Sequence, residues 1–129
     1  PGLKEEWAEW GDQRPFVGAL TLELPTCTDD EVLAWIAEGT APIYFGFGSM
    51  RLDTPENAIT LISEVCAELG ARALICGGVT DLDGVEAPAN VKVVAEANHA
   101  AVFPKCRAVV HHGGPGTLAA GMKAGVPTL

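Results

Sequence analysis

The chain has 129 residues, 48% apolar and 19% charged, which suits one folded domain and argues against a disordered polypeptide. A formal net charge of −9 argues against nucleic acid or an anionic membrane surface as partner, because both need basic surface, yet leaves room for a phosphate held locally by backbone N–H groups. No apolar run reaches the length of a membrane span, and Pro1 to Trp7 has no signal-peptide layout.

Residues 1–26 show poor periodicity, with Trp7, Trp10 and Phe16 set among Gly, Pro and charges, and are expected to form an irregular arm or interdomain linker. Thr28-Asp29-Asp30-Glu31 has the form of a capping box and predicts a short helix through Val32, Leu33, Trp35 and Ile36 that stops at Gly39. Pro42 to Ser49 predicts an apolar strand ending in a Gly-x-Gly-Ser turn. Thr54 suits the cap of the next helix, Pro55 its first position and Gly70 the residue after its end. Ala58, Leu61, Ile62, Val65, Cys66 and Leu69 recur at helical spacing and are expected to be its buried face.

Arg72 to Cys76 predicts a second strand that runs into Gly77-Gly78, followed by a polar loop over 79–90. Val91 to Val94 predicts a third strand. His99 to Phe103 suits one helical turn, capped by Asn98 and closed by Pro104. Ala108 to His111 is expected to be the fourth strand, Thr117 to Ala124 a helix capped by Gly125, and Val126 to Leu129 the opening of a fifth strand. Apolar strands separated by helices and ending in glycine turns describe an α/β fold, a Rossmann-like parallel sheet with helices on both faces. Ligands of such sheets bind beyond the carboxyl ends of the strands, where the turns at 46–48, 77–78 and 113–116 all fall.

The segment Ala108 to Thr117 carries the strongest chemical signal. A strand enters Gly113-Gly114-Pro115-Gly116, and a helix start there presents bare N–H groups to an anion. Neighbouring strand residues face opposite ways, so His111 and His112 cannot both serve one ligand; the glycines after them favour His112, with His111 as a packing residue. The Gly46-Phe47-Gly48-Ser49 turn suits either a positive-φ bend or a site where Ser49 Oγ and N–H meet a phosphate oxygen. Cys27, Cys66, Cys76 and Cys106 form no Cys-x-x-Cys pair and read as small buried hydrophobes in a reducing compartment, the minor readings being a disulfide framework or a zinc site. The cytoplasm is the expected location. No metal site is expected: no Asp, Glu or Cys neighbours the histidines at ligand spacing, and Asp81, Asp83 and Glu86 are wrongly spaced for a calcium loop. The third glycine of the dinucleotide fingerprint and the Gly-Lys-Ser/Thr of a Walker loop are both missing.

In order, Ile43 to Met50, Asn98-His99 with Phe103-Pro104, and Ala108 to Thr117 resemble the carboxyl-terminal, donor-binding domain of glycosyltransferase family 1, of GT-B fold, nearest to glycopeptide-antibiotic and sterol glycosyltransferases. The resemblance implies that Ser49, His112, Gly114, Gly116 and Thr117 hold the donor diphosphate, and that Ala97 holds the base edge through its backbone. Glu96 stands where many relatives stack a tryptophan on the base, and a glutamate there suits a ribose hydroxyl. The implied activity is transfer of a sugar from a UDP- or TDP-sugar to a lipid or natural-product acceptor, inverting, without metal or cofactor. The implied partner is an amino-terminal acceptor-binding domain, which holds the catalytic base in that family and has no counterpart in residues 1–26. Residues 27–129 are then an incomplete donor domain, expected to be inactive and only marginally stable alone. A nucleotide-sugar epimerase of the same fold and a non-catalytic nucleotide-binding module are the alternatives.

Overall fold

A computed structural model describes residues 25–82 and 84–129; the arm expected over residues 1–26 lies almost wholly outside the described residues. The elements in chain order are α1 (Asp29–Ala37), β1 (Ile43–Gly46), α2 (Pro55–Glu68), β2 (Ala73–Cys76), β3 (Val91–Val94), α3 (His99–Val102), β4 (Ala108–His111) and α4 (Pro115–Ala124). A 3-10 turn over Phe103–Lys105 joins α3 to β4. Pro104 therefore sits inside this second turn and does not close the first, as its fixed φ permits.

All four strands pair in parallel in the order β3-β2-β1-β4. Ile43 aligns with Ala73 and Ala108, and Gly46 with Cys76 and His111, so the carboxyl ends finish level. Successive side chains point to opposite faces. Tyr44, Leu74, Cys76, Val94 and Val109 join Val32 and Ile36 of α1, Val102 of α3 and Phe103 in one core, with Ala120 and Ala124 of α4 against it. Ala73, Ile75 and Val91 face the other way, into a second core with Ile59 and Cys66 of α2. Helices thus cover both faces of a Rossmann-like sheet. Thr128 bridges to Val109 in parallel, and Leu129 N donates to Val109 O at 2.9 Å, which begins the expected fifth strand.

Three local expectations need correction. The buried face of α2 is Ile59, Ser63 and Cys66, while Leu61 and Leu69 are each 61% exposed. The apolar residues make two adjoining stripes, and the sheet takes the one that carries Ser63, whose hydroxyl bonds Asn90 Oδ1 at 3.2 Å. Thr28 is the N-cap of α1 but makes no side-chain cap bond, and neither does Thr54 at α2. Thr28 Oγ1 instead donates to Glu96 O at 3.4 Å, a tertiary partner that competes with the cap. Cys66, Cys76 and Cys106 are buried free thiols, as read, but Cys27 is exposed. Burial alone pushes the Cys106 thiol up to about 12, which keeps it protonated and unreactive.

The carboxyl end of α1 is closed by a side chain from elsewhere. Arg72, just before β2, donates to the carbonyls of Trp35 (2.7 Å), Ile36 (2.6 Å) and Thr40 (2.6 Å), with its guanidinium over the Trp35 ring. A cation there satisfies orphan carbonyls and the negative end of the helix dipole.

Candidate functional site

Three glycine turns meet at the carboxyl edge of the sheet. After β1 the chain turns through Gly48, at φ 52°, with Met50 N donating to Phe47 O at 2.8 Å and Ser49 exposed. The turn after β2 presses against it: Val79 N donates to Gly48 O at 2.9 Å, and a Cβ on Gly78 would lie 2.2 Å from that oxygen. After β4, the His112 ring fills the space beside Gly48, where a Cβ would come within 2.1 Å of Cε1, and beside Gly114, where a Cβ would come within 2.7 Å of Nε2. Glycine at 48, 78 and 114 is thus a packing requirement as well as a turn requirement.

His112 is tied to β1 twice. Its N–H donates to Gly46 O at 3.2 Å, and its ring Nδ1 lies 3.4 Å from the same oxygen. A carbonyl only accepts, so Nδ1 carries the proton and Nε2 becomes a donor in the imidazolium form. His111 takes a different part: its Nδ1 accepts from Gly113 N at 3.0 Å, which fixes the entry to the turn at Gly113, φ 89°. Gly114 is the N-cap of α4, Pro115 has no N–H to offer, and the first intrahelical bond is Leu118 N to Gly114 O at 3.0 Å. The N–H groups of Gly116 and Thr117 therefore lie in the first turn, without intrahelical acceptors and at the positive end of the dipole.

The loop after β3 crosses toward α3 along the same edge. Ala95 O accepts from Gly78 N at 3.2 Å and from Cys76 Sγ at 3.4 Å, which ties the loop to the second glycine turn. Glu96 is exposed, whereas Ala97 packs against the core. Asn98 Oδ1 accepts from Ala100 N at 3.1 Å and caps α3, as expected. A cleft of about 450 Å³ opens beside this loop, lined by Gly78, Val79, Thr80, Leu82, Val94 and Ala95.

Two polar contacts lie beyond what the sequence spacing foretold. Asp29, within the capping-box segment, accepts from Thr26 N at 2.8 Å, Thr26 Oγ1 at 2.5 Å and Asn98 N at 3.2 Å. Burial alone would raise its pKa, but the bonds from Thr26 and Asn98 outweigh it and hold the carboxyl below its ordinary value. His99 lies 3.2 Å from the Tyr44 hydroxyl through Nε2 and stacks on Phe103 at 4.5 Å. Burial, then the neighbouring His111, lowers the His99 pKa, and burial raises that of Tyr44, so a neutral phenol faces a neutral imidazole. A polar residue inside an apolar strand was the available hint.

The candidates therefore fall in two connected places. Ser49, His112, Gly114, Gly116 and Thr117 gather at the ends of the adjacent strands β1 and β4; Glu96 and Ala97 lie on the crossing loop, joined to them through Ala95, Gly78 and Gly48. Among the described residues no group of three or more His, Cys, Asp or Glu is arranged to hold a metal ion. No helix among them is long and apolar enough to cross a membrane.

A parallel sheet covered on both faces, with a histidine-glycine turn and a helix start at its carboxyl edge, fits the GT-B glycosyltransferase domain that the sequence resembles. The comparisons agree on this. Residues 58–129 match the family described as Erythromycin biosynthesis protein CIII-like, C-terminal domain, and the chain belongs to that family of glycosyltransferase domains. It is 63% identical over its whole length to an uncharacterized glycosyltransferase of Mycobacterium leprae, of which it covers 31%. It is 41% identical to a sterol 3-beta-glucosyltransferase of Arabidopsis thaliana, with 99% of this chain and 22% of that protein aligned. The crystal structure of the glycosyltransferase SnogD from Streptomyces nogalater superposes with a TM-score of 0.58 at 31% identity, covering 89% of this chain and 29% of that one. Glycosyltransferase VinC in complex with DTDP gives a TM-score of 0.64 at 22% identity over 90% of this chain and 29% of that one, a likeness of fold. The chain thus spans a third or less of the length of these relatives.

Proposed function

We propose that the chain is the donor-binding part of a glycosyltransferase that moves a sugar from a UDP- or TDP-sugar to a lipid or natural-product acceptor, with inversion and without metal or cofactor. The observation that carries this reading is the convergence of the Ser49 turn, the His112 ring and the start of α4 at the ends of two adjacent parallel strands. Negative charge grows on the departing nucleoside diphosphate as the glycosidic bond breaks. Fixed N–H groups of Gly116 and Thr117, the α4 dipole, the Ser49 and Thr117 hydroxyls and Nε2–H of a protonated His112 would stabilise that charge with little reorganisation. Gly114 gives the backbone room to approach, and Ala97 and Glu96 would address the base and ribose. The attacking acceptor and the base that deprotonates it belong to an amino-terminal domain of the whole protein. Buried free thiols suit a cytoplasmic enzyme.

The test is titration of UDP, dTDP, GDP and NAD against the protein by calorimetry. A nucleoside diphosphate should bind, and His112→Ala and Thr117→Ala should each weaken it by about tenfold or more. Tight NAD binding, or no nucleoside diphosphate binding at all, would sink the assignment.

A further inference from the structure

Two hydrogen bonds join the loop that carries Ala97 to the start of α1. Thr28 Oγ1 donates to Glu96 O at 3.4 Å, and Asn98 N donates to Asp29 Oδ1 at 3.2 Å. Both bonds go to consecutive residues at the start of α1, 68 and 69 positions away in the chain. No peptide bond among the described residues is cis. In a trans peptide the C=O and N–H point in opposite directions. With Glu96 C=O aimed at α1, the N–H of Ala97 points away from it. With Asn98 N–H aimed at α1, the C=O of Ala97 likewise points away. That N–H and C=O take no partner among the described residues, while the Ala97 methyl is committed to the core.

Asp29 is braced for this task. Its carboxylate also accepts the N–H and hydroxyl of Thr26, so the segment before α1 and the loop after β3 share one anion. Charge-assisted bonds of this kind are stronger and more directional than neutral ones.

From this geometry we infer that Thr28 and Asp29 are positioning residues for the donor base. They turn the 96–98 backbone so that Ala97 offers one donor beside one acceptor to a base edge with the matching pair, such as the imide of uracil or thymine. The inference rests on the donor-site reading above and assigns the orientation of that site to two residues that touch no ligand.

The experiment compares UDP, its N3-methyl analogue and inorganic pyrophosphate by calorimetry on the wild-type protein, Asp29→Ala, Asp29→Asn and Thr28→Val. Wild-type protein should prefer UDP over the N3-methyl analogue by about tenfold, the worth of one lost hydrogen bond. Asp29→Ala should erase that preference and leave pyrophosphate binding within about twofold of wild type, because the diphosphate groups lie on other elements. Asp29→Asn, which keeps an acceptor oxygen, should retain part of the preference. Thr28→Val, which loses one bond of the pair and keeps the Asp29 network, should reduce it even if Asp29→Ala folds poorly. A preference that survives in both Asp29→Ala and Thr28→Val overturns the inference, as does pyrophosphate binding that falls in step with UDP. Equal wild-type binding of UDP and its analogue overturns it too, with the donor site intact. Failure of the wild-type protein to bind any nucleoside diphosphate overturns the donor site itself.

Discussion

Substituting Gly48 by alanine separates what that glycine does for the fold from what it does for His112. The residue sits at φ 52°, where an L side chain costs about 1 kcal/mol or somewhat more. The added Cβ would also lie 2.1 Å from His112 Cε1, and neither Nδ1 nor Nε2 is farther than 2.8 Å from it. The ring must leave, breaking its contact with Gly46 O and taking Nε2 away from the proposed diphosphate position. A hydrogen bond to a charged group contributes about 2 kcal/mol, so UDP or dTDP affinity should fall about thirtyfold. Gly70 provides the control. Its φ is 59° and nothing lies within 4 Å of its Cβ position, so Gly70→Ala carries the same strain without the collision. Gly70→Ala should lose about 1 kcal/mol in urea unfolding and Gly48→Ala more, because the collision adds to the same strain, and only Gly48→Ala should lose affinity by calorimetry. The double variant Gly48→Ala/His112→Ala should bind no more weakly than His112→Ala, because both changes remove the same contact. Affinity retained in Gly48→Ala, or losses that multiply in the double variant, would refute the reasoning.

Two further outcomes follow from burial. Ile59→Ala should destabilise the protein by about 2–5 kcal/mol and Leu61→Ala by less than about 0.5, since Ile59 is 2% and Leu61 61% exposed; urea melts that reverse this order would place the wrong face of α2 on the sheet. The His99 pKa is lowered by folding, so the unfolded chain takes up the proton first as pH falls. Its stability contribution is full above the ordinary histidine value of 6.5 and is lost as pH drops below it, and His99→Gln should flatten the slope of stability below that pH. An unchanged slope would mean that another group carries it.

The alternation of strands and helices was legible because each element declares itself locally. Pro55 and Gly125 mark helix ends, and the apolar runs at 43–46 and 73–76 suit strands buried on both faces. The candidate diphosphate residues were legible for the same reason: Ser49, His112 and Gly114 sit in glycine turns directly after strands, and the level register brings those turns together. The choice between the two stripes of α2 was not legible, because Leu61 and Ile59 are equally apolar and only the partner surface decides. Nor were the parts played by Thr28 and Asp29. Their partners, Glu96 and Asn98, are local in space and remote in sequence, and the capping pattern offered a nearer explanation for the same side chains.

The Arg72 clamp gains meaning from what lies at the other end of α1. That helix is pinned at its carboxyl end by a guanidinium rooted at the foot of β2, and at its amino end by Thr28 and Asp29 to the loop above the sheet. Fastened at both ends, α1 acts as a strut running from the base of the sheet to its carboxyl rim. The height at which the loop stands over the rim is thereby gauged from the opposite edge of the domain. A slack Arg72 joint would be felt as a tilt in a loop it never touches.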